Sequence, residues 1–115
     1  MTEYSRKRMD ELAQPGVMTN EQAAFRIVAL RSMAQIKSRR EIGEMIHVTE
    51  DAITKVEHGD NRPSWELMVK LYEYTNVDPT FIVTGDYDRL PVSVRDELFA
   101  HLVLTEEKDR RRQKA

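Results

Sequence analysis

Three observations in the sequence predict an all-α protein. Apolar residues recur at steps of three and four, the spacing that places side chains on one face of a helix. Ser, Thr or Asp precedes these apolar segments, and such residues cap helix N-termini. Alternation of β-branched and polar residues over strand lengths is absent from the sequence. The length of 115 residues fits one domain with a tail at either end.

The composition excludes several classes of protein. A net charge of -2 argues against a polycation that coats nucleic acid or acidic membranes. The chain has no cysteine, so disulfides and thiolate chemistry are excluded. No apolar run approaches the ~20 residues of a membrane span, and the beginning of the chain lacks the apolar stretch of a secretion signal. We therefore expect a cytoplasmic protein that has no membrane partner.

The first 34 residues divide into two parts. Residues 1–18 are polar, mixed in charge and interrupted by Pro15 and Gly16, which predicts a flexible N-terminal arm with at most a short helical turn before the proline. Residues 19–34 predict the first helix, because Thr19 and Gln22 have the spacing of a capping box. Its apolar residues then fall on one face: Ala23, Ile27, Leu30 and Ala34.

Five further helices are predicted after this one. Ser38 and Glu41 form a second capping box, which begins a helix over residues 38–46. Thr49 caps the third helix, and Gly59 ends it. The fourth to sixth helices are predicted to begin at the cap Ser64, at the pair Asp78 and Pro79, and at Ser93. The sixth extends to about Lys108, before a charged tail that is either a solvated end or a flexible phosphate-binding arm.

Four segments, in this order and spacing, resemble the Xre family of helix-turn-helix domains, the group that contains lambda-type repressors and Cro. They are "RIVALR" (26–31), "SRREIGEMIHVT" (38–49), "AITKVEHGDNRPS" (52–64) and "NVDPTFIVTGD" (76–86). The resemblance covers residues 26–86. It implies a five-helix lambda-repressor-like helix-turn-helix domain over residues 19–86, followed by an additional C-terminal helix at 87–108 and the charged tail at 109–115.

Three features depart from the family pattern. The link "SMAQIKS" between the first two helices is one residue longer than usual and has no glycine. Arg39 stands where the family usually has glutamine, and His47 replaces a glycine in the turn between the second and third helices. A histidine can adopt the left-handed conformation of such a turn at some strain. None of the three departures would break the fold.

The resemblance implies a DNA surface centred on the third helix, which in this family enters the major groove. Arg39, with Ser38 beside it, would contact a phosphate, and the loop around Arg62 would touch the backbone. The full set of residues assigned to DNA is Lys37, Ser38, Arg39, Thr49, Glu50, Asp51, Thr54, Lys55, His58, Asn61 and Arg62.

The charge of this segment opposes DNA binding. Between Lys37 and Arg62 there are five basic and six acidic residues, a net charge of -1, whereas Lys and Arg supply most non-specific affinity for DNA. Two explanations remain open for Glu50 and Asp51. The helix dipole stabilises acids at a helix N-terminus, and a carboxylate can also accept a hydrogen bond from cytosine N4 and so select a sequence.

Two further sets of residues have expected structural roles. By alignment with the family, Arg31 and Glu57 form a structural ion pair, the alternative being two separately solvated charges. The last helix has an apolar stripe wider than one contact needs, which predicts a homodimer interface. Its residues are Val94, Leu98, Phe99, Leu102 and Val103. The alternative is that this stripe packs wholly within one chain.

No metal, cofactor or catalytic site is expected. The three histidines lack metal-ligand spacing, and no nucleophile, base and oxyanion site can be assembled. We therefore expect a sequence-specific transcriptional regulator, a repressor of phage or mobile-element type, that binds a double-stranded DNA operator as a homodimer. The rival is a protein-interaction module of the same fold, such as an antiactivator or antitoxin subunit, whose partner is a regulatory protein.

Overall fold

The computed structural model describes residues 4–114, the last by its backbone alone, and within this range the chain forms seven helices and no strand. The all-α class is thereby confirmed for the described residues. The helices are α1 (Arg6–Ala13), α2 (Asn20–Met33), α3 (Arg39–Met45), α4 (Glu50–Glu57), α5 (Trp65–Thr75), α6 (Pro79–Thr84) and α7 (Val92–Lys114). None of the described helices is both long enough and apolar enough to cross a bilayer.

Side-chain caps begin helices α2 to α6, as the sequence predicts. In each case the cap oxygen accepts a hydrogen bond from the backbone N–H three residues later, and this satisfies a donor that the first turn leaves unpaired. The caps are Thr19, Ser38, Thr49, Ser64 and Asp78. Neither predicted capping box is completed among the described residues: the Gln22 side chain donates to the Leu12 carbonyl, and the Glu41 side chain makes no hydrogen bond to the Ser38 N–H.

The predicted flexible arm is wrong for residues 6–13, which form α1. Ser5 caps this helix, and Met9 and Leu12 are buried against the rest of the core. Arg8 joins α1 to α7 through an ion pair with Glu106, with nitrogen and oxygen 2.7 Å apart. The sequence indicated at most a short helical turn here, because charged residues dominate α1 and leave it a short apolar face. Residues 1–3 of the predicted arm lie outside the described residues.

Helix α2 is the centre of the fold and packs against α4, α5, α6 and α7. Its residues Ile27 and Leu30 are buried among large side chains of the later helices, such as Leu71 and Phe81. The longest helix, α7, lies along α2, and His101 Nδ1 and Ser32 Oγ share a hydrogen bond of 2.9 Å. The last helix was predicted to end near Lys108, but α7 continues to Lys114, so the charged residues 109–114 are helical.

The apolar stripe of α7 faces the core of its own chain. Leu98, Phe99 and Leu102 are fully buried, whereas Val94 and Val103 are half-buried against the same core. The three buried side chains cannot form the predicted dimer interface in this conformation. The stripe is wide because α7 packs against α1 as well as α2, and α1 was absent from the prediction.

A buried arginine connects the ends of two helices. Arg26 is fully buried and donates to five carbonyl oxygens at 2.8 to 3.2 Å. The acceptors are Ala13, Gln14, Val17, Ile82 and Val83, which lie at and after the C-terminal end of α1 and within α6. Burial lowers the pKa of Arg26 to about 10, so the guanidinium stays cationic at neutral pH. This residue was not singled out from the sequence.

Candidate nucleic-acid interface

Helices α3 and α4 are joined by a tight turn at residues 46–49. A Cβ at Gly43 would lie 2.8 Å from the carbonyl oxygen of Val48, so the turn leaves no space for a side chain there. The Val48 N–H also donates to the Gly43 carbonyl at 2.9 Å. His47 has a φ of +60°, the left-handed conformation that a histidine was expected to tolerate. The turn therefore holds the two helices in close contact.

Helix α4 has a buried face and an exposed face. Ile53 and Val56 are buried in the core, together with Glu57. The exposed face is polar and carries Glu50, Asp51, Lys55 and His58, with Thr54 half-buried beside them. The core thus fixes the orientation of α4, and the residues predicted to read DNA point away from it.

Local contacts partly occupy these exposed side chains. Lys55 Nζ lies 3.4 Å from Asp51 Oδ2, one turn earlier, so its charge is shared with a carboxylate. The Thr54 hydroxyl donates to the Glu50 carbonyl at 3.0 Å and keeps its lone pairs for an external donor. Thr49 caps the helix and is exposed. The start of α4 therefore presents acceptors more than donors.

The link between α2 and α3 brings two predicted phosphate contacts to the surface. Gln35 has a φ of +61°, so this residue makes the left-handed turn although the link has no glycine. Ile36 is buried and anchors the link, while Lys37 and Ser38 are exposed after it. On the other side of α4, Asn61 and Arg62 lie exposed in the loop before α5.

Glu57 is the centre of a three-residue charge cluster. Its side chain is fully buried, and its two carboxylate oxygens lie 2.6 Å from Arg31 Nε and 2.9 Å from Arg39 Nε. Arg31 also donates to the Ile36 carbonyl at 3.0 Å, which ties the link to the cluster. The predicted partners Arg31 and Glu57 thus lie in direct contact rather than in separate solvation shells.

Arg39 has a structural contact that the sequence analysis missed. It was assigned to a DNA phosphate alone, yet its guanidinium binds the buried carboxylate of Glu57 and is 27% exposed. No spacing rule indicates this contact, because the two residues are 18 positions apart and meet only when α3 and α4 pack. Any effect of an Arg39 substitution on DNA binding would therefore be mixed with an effect on stability.

The charges left on this surface are few and mixed. Arg40 pairs with Glu44 at 3.1 Å, in addition to the Lys55 pair. Among residues 4–113, whose side chains the structure describes, Lys37 and Arg62 make no ion pair. Among the lysines and arginines assigned to DNA, Lys37 and Arg62 alone keep an unshared charge. With a net charge of -1 over residues 37–62, this surface by itself attracts DNA phosphates weakly.

Within the same described residues, no group of three or more His, Asp or Glu side chains could hold a metal ion. Comparisons with protein-family models, with curated proteins and with solved structures found no match for this chain.

Proposed function

We propose that the chain is a sequence-specific DNA-binding transcriptional regulator, a repressor of the Xre type, with α3 and α4 as its helix-turn-helix. One observation carries this proposal: α4 is anchored by its apolar face and exposes polar side chains along the opposite face. A helix with its side chains is ~10–12 Å across, which matches the ~12 Å width of the major groove. Thr54 and Lys55 then face base edges.

Phosphate contacts are proposed on both sides of α4. Lys37 and Ser38 lie before it in the chain, and Asn61 and Arg62 lie after it. Such contacts fix the register of a protein on DNA but carry no sequence information. His58, exposed at the C-terminal end of α4, can contact the backbone from the same side. Arg39 contributes by its partly exposed guanidinium while Glu57 holds it.

The acids at the start of α4 are proposed to select the operator rather than to strengthen binding. Glu50 and Asp51 are exposed, and a carboxylate there can accept from cytosine N4, contributing ~1–3 kcal/mol of discrimination. The same charge is repelled by phosphates and by the acceptor atoms of guanine. Binding is therefore weaker on a random sequence than it would be without these acids.

The test compares wild type with Glu50→Gln/Asp51→Gln on random-sequence duplexes over a range of salt concentrations, together with selection of bound sites from random DNA. We expect the variant to bind random DNA more tightly and to select a broader set of sites. The control is Glu66→Gln/Glu97→Gln, which removes two other exposed acids, one of them in the first turn of α5. Loss of binding to every duplex in a folded Glu50→Gln/Asp51→Gln protein would make these acids essential contacts and contradict the selective role.

A homodimer is proposed through a surface other than the buried stripe of α7. One recognition helix reads only a few base pairs, and two-fold dimers read two half-sites about one helical turn apart. Met18 and Val83 are large apolar side chains exposed by 66% and 42%. They line an open cleft of about 590 Å³ with Arg62 and Pro63, next to the loop assigned to DNA. This cleft is the surface on which we propose that two copies meet.

A protein-interaction module is the second candidate function, and the surroundings of Trp65 favour it. The Trp65 side chain is 65% exposed at the start of α5. It lines a cleft of about 300 Å³ with the apolar residues Met45, Ile46 and Val69. Exposed aromatic anchors of this kind are common at protein interfaces. A wild-type protein without salt-dependent binding to any duplex would reject DNA binding in favour of this candidate.

A further inference from the structure

The end of α7 is rich in basic residues. Between Glu106 and Lys114 there are five basic and three acidic residues. This end of α7 is helical and lies against α2. It places Lys108 beside Lys37, and Arg112 beside Arg39 and His58, all of them residues whose side chains the structure describes.

A cleft of about 310 Å³ lies between α7, the end of α2 and the link that follows α2. We call it the α7 cleft. The polar side chains that line it include Lys108 and Thr105 from α7, Arg31 and Ser32 from α2, and Gln35 and Lys37 from the link. Three of the described residues that line it are cations and none is a carboxylate.

The neighbouring clefts have a different charge pattern. The one bounded by α2, α4 and the end of α7 has four cations, Arg31, Arg39, Lys108 and Arg112, but also three acids, Glu21, Glu57 and Asp109, which offset most of this charge. The one between α1 and α7 is lined by Glu11, Glu106 and Asp109. An anion is therefore favoured in the α7 cleft over these two clefts along α7.

Two lysines in the α7 cleft have charges that no carboxylate shares. Arg31 is already bound to Glu57 and to the Ile36 carbonyl through its three nitrogens. Lys37 and Lys108 are exposed, and neither makes an ion pair with any side chain that the structure describes. The two lysines come from segments 71 positions apart in the chain and meet only in the folded protein.

We propose that the α7 cleft binds a phosphate of the DNA backbone, with Lys37 and Lys108 as its two cations. This inference rests on the proposed function and extends the DNA surface beyond α3, α4 and their flanking loops. It also answers the charge problem, because the segment from Lys37 to Arg62 is net -1 and needs cations from elsewhere. The cleft adjoins Ser38, where the family resemblance places a phosphate contact.

The experiment measures how binding to a short random-sequence duplex depends on salt, for wild type, Lys108→Gln and Arg111→Gln. Arg111 is an exposed cation on the same helix that does not line the α7 cleft, so its variant matches the change in charge. We expect Lys108→Gln to reduce the slope of log affinity against log salt by ~0.9, the value of one phosphate contact. Lys37→Gln/Lys108→Gln should reduce it by ~1.8. Lys108→Arg should keep the wild-type slope, and all four variants should keep the wild-type melting temperature.

The possible outcomes separate the two proposals. If wild type binds DNA but Lys108→Gln and Arg111→Gln have equal slopes, the phosphate site is overturned and the proposed function stands. Absence of salt-dependent binding by wild type would overturn both. A third measurement uses inorganic phosphate, which can raise the melting temperature of wild type but not of Lys108→Gln. If it does so while both proteins have the same slope on DNA, the cleft binds a free anion and the proposal is overturned.

Discussion

Replacement of Glu57 by glutamine tests the charge cluster that joins α2, α3 and α4. The carboxylate of Glu57 accepts three hydrogen bonds, two from Arg31 at 2.6 and 3.0 Å and one from Arg39 at 2.9 Å. Glutamine has nearly the same size, but its NH₂ group faces guanidinium donors and cannot accept from them. The substitution therefore removes the charge and at least one of the three hydrogen bonds without creating a cavity.

The expected loss of stability is about 3 kcal/mol. A lost hydrogen bond to a charged group costs ~1.5–3 kcal/mol, and the two guanidinium groups also lose their buried counter-charge. Arg31 and Arg39 are 16% and 27% exposed, and by turning towards water they recover part of this loss. The result lies at the lower end of the ~3–5 kcal/mol that removal of one partner from a buried ion pair costs. It corresponds to a melting temperature lower by roughly 10–15 °C in a domain of this size.

Urea denaturation with a shared m-value, and thermal melting, measure this loss. The control is Glu44→Gln, which removes a carboxylate from the exposed pair with Arg40 and should change the free energy of unfolding by less than ~0.5 kcal/mol. A Glu57→Gln protein within ~1 kcal/mol of wild type would refute the argument, because a buried carboxylate with two guanidinium partners cannot be replaced so cheaply.

Two further predictions concern other parts of the fold. Val83→Asp should weaken self-association in sedimentation equilibrium, because it places a charge in the cleft with Met18. The control Val92→Asp, at another exposed valine, should leave self-association unchanged. A wild type that stays monomeric at high concentration, both free and on DNA, would rule out the dimer. Burial, together with the hydrogen bond that its hydroxyl donates to Asp10, raises the pKa of Tyr87 to about 12. Because the folded pKa lies above the unfolded value of 10.0, this contribution to stability is complete below pH 10 and is lost as pH rises towards 12. Phenolate absorbance should show a step near pH 12 that Tyr87→Phe lacks, and identical titrations of the two proteins would contradict the buried hydrogen bond.

The sequence by itself determined the helical class and the places where most helices begin. Caps such as Ser38 and Thr49 bind a backbone N–H only three residues away, so their role needs no knowledge of the rest of the fold. The turn between the second and third predicted helices was expected from the family resemblance, and the atoms in contact there lie within six residues of one another. Local hydrogen bonds and local steric limits are visible in a short stretch of sequence.

Tertiary structure alone decided which surfaces are free and which charges are shared. The stripe containing Phe99 predicted a dimer, but α1 helps to cover this stripe. Helix α1 was not predicted as a helix, because its apolar face is short and is surrounded by charged residues. Arg26 donates hydrogen bonds to carbonyls up to 57 positions away in the chain, and Lys108 and Lys37 line the same α7 cleft. Periodicity reports that a helix has an apolar face but not what covers that face. A charge likewise obtains its partner only when distant segments come together.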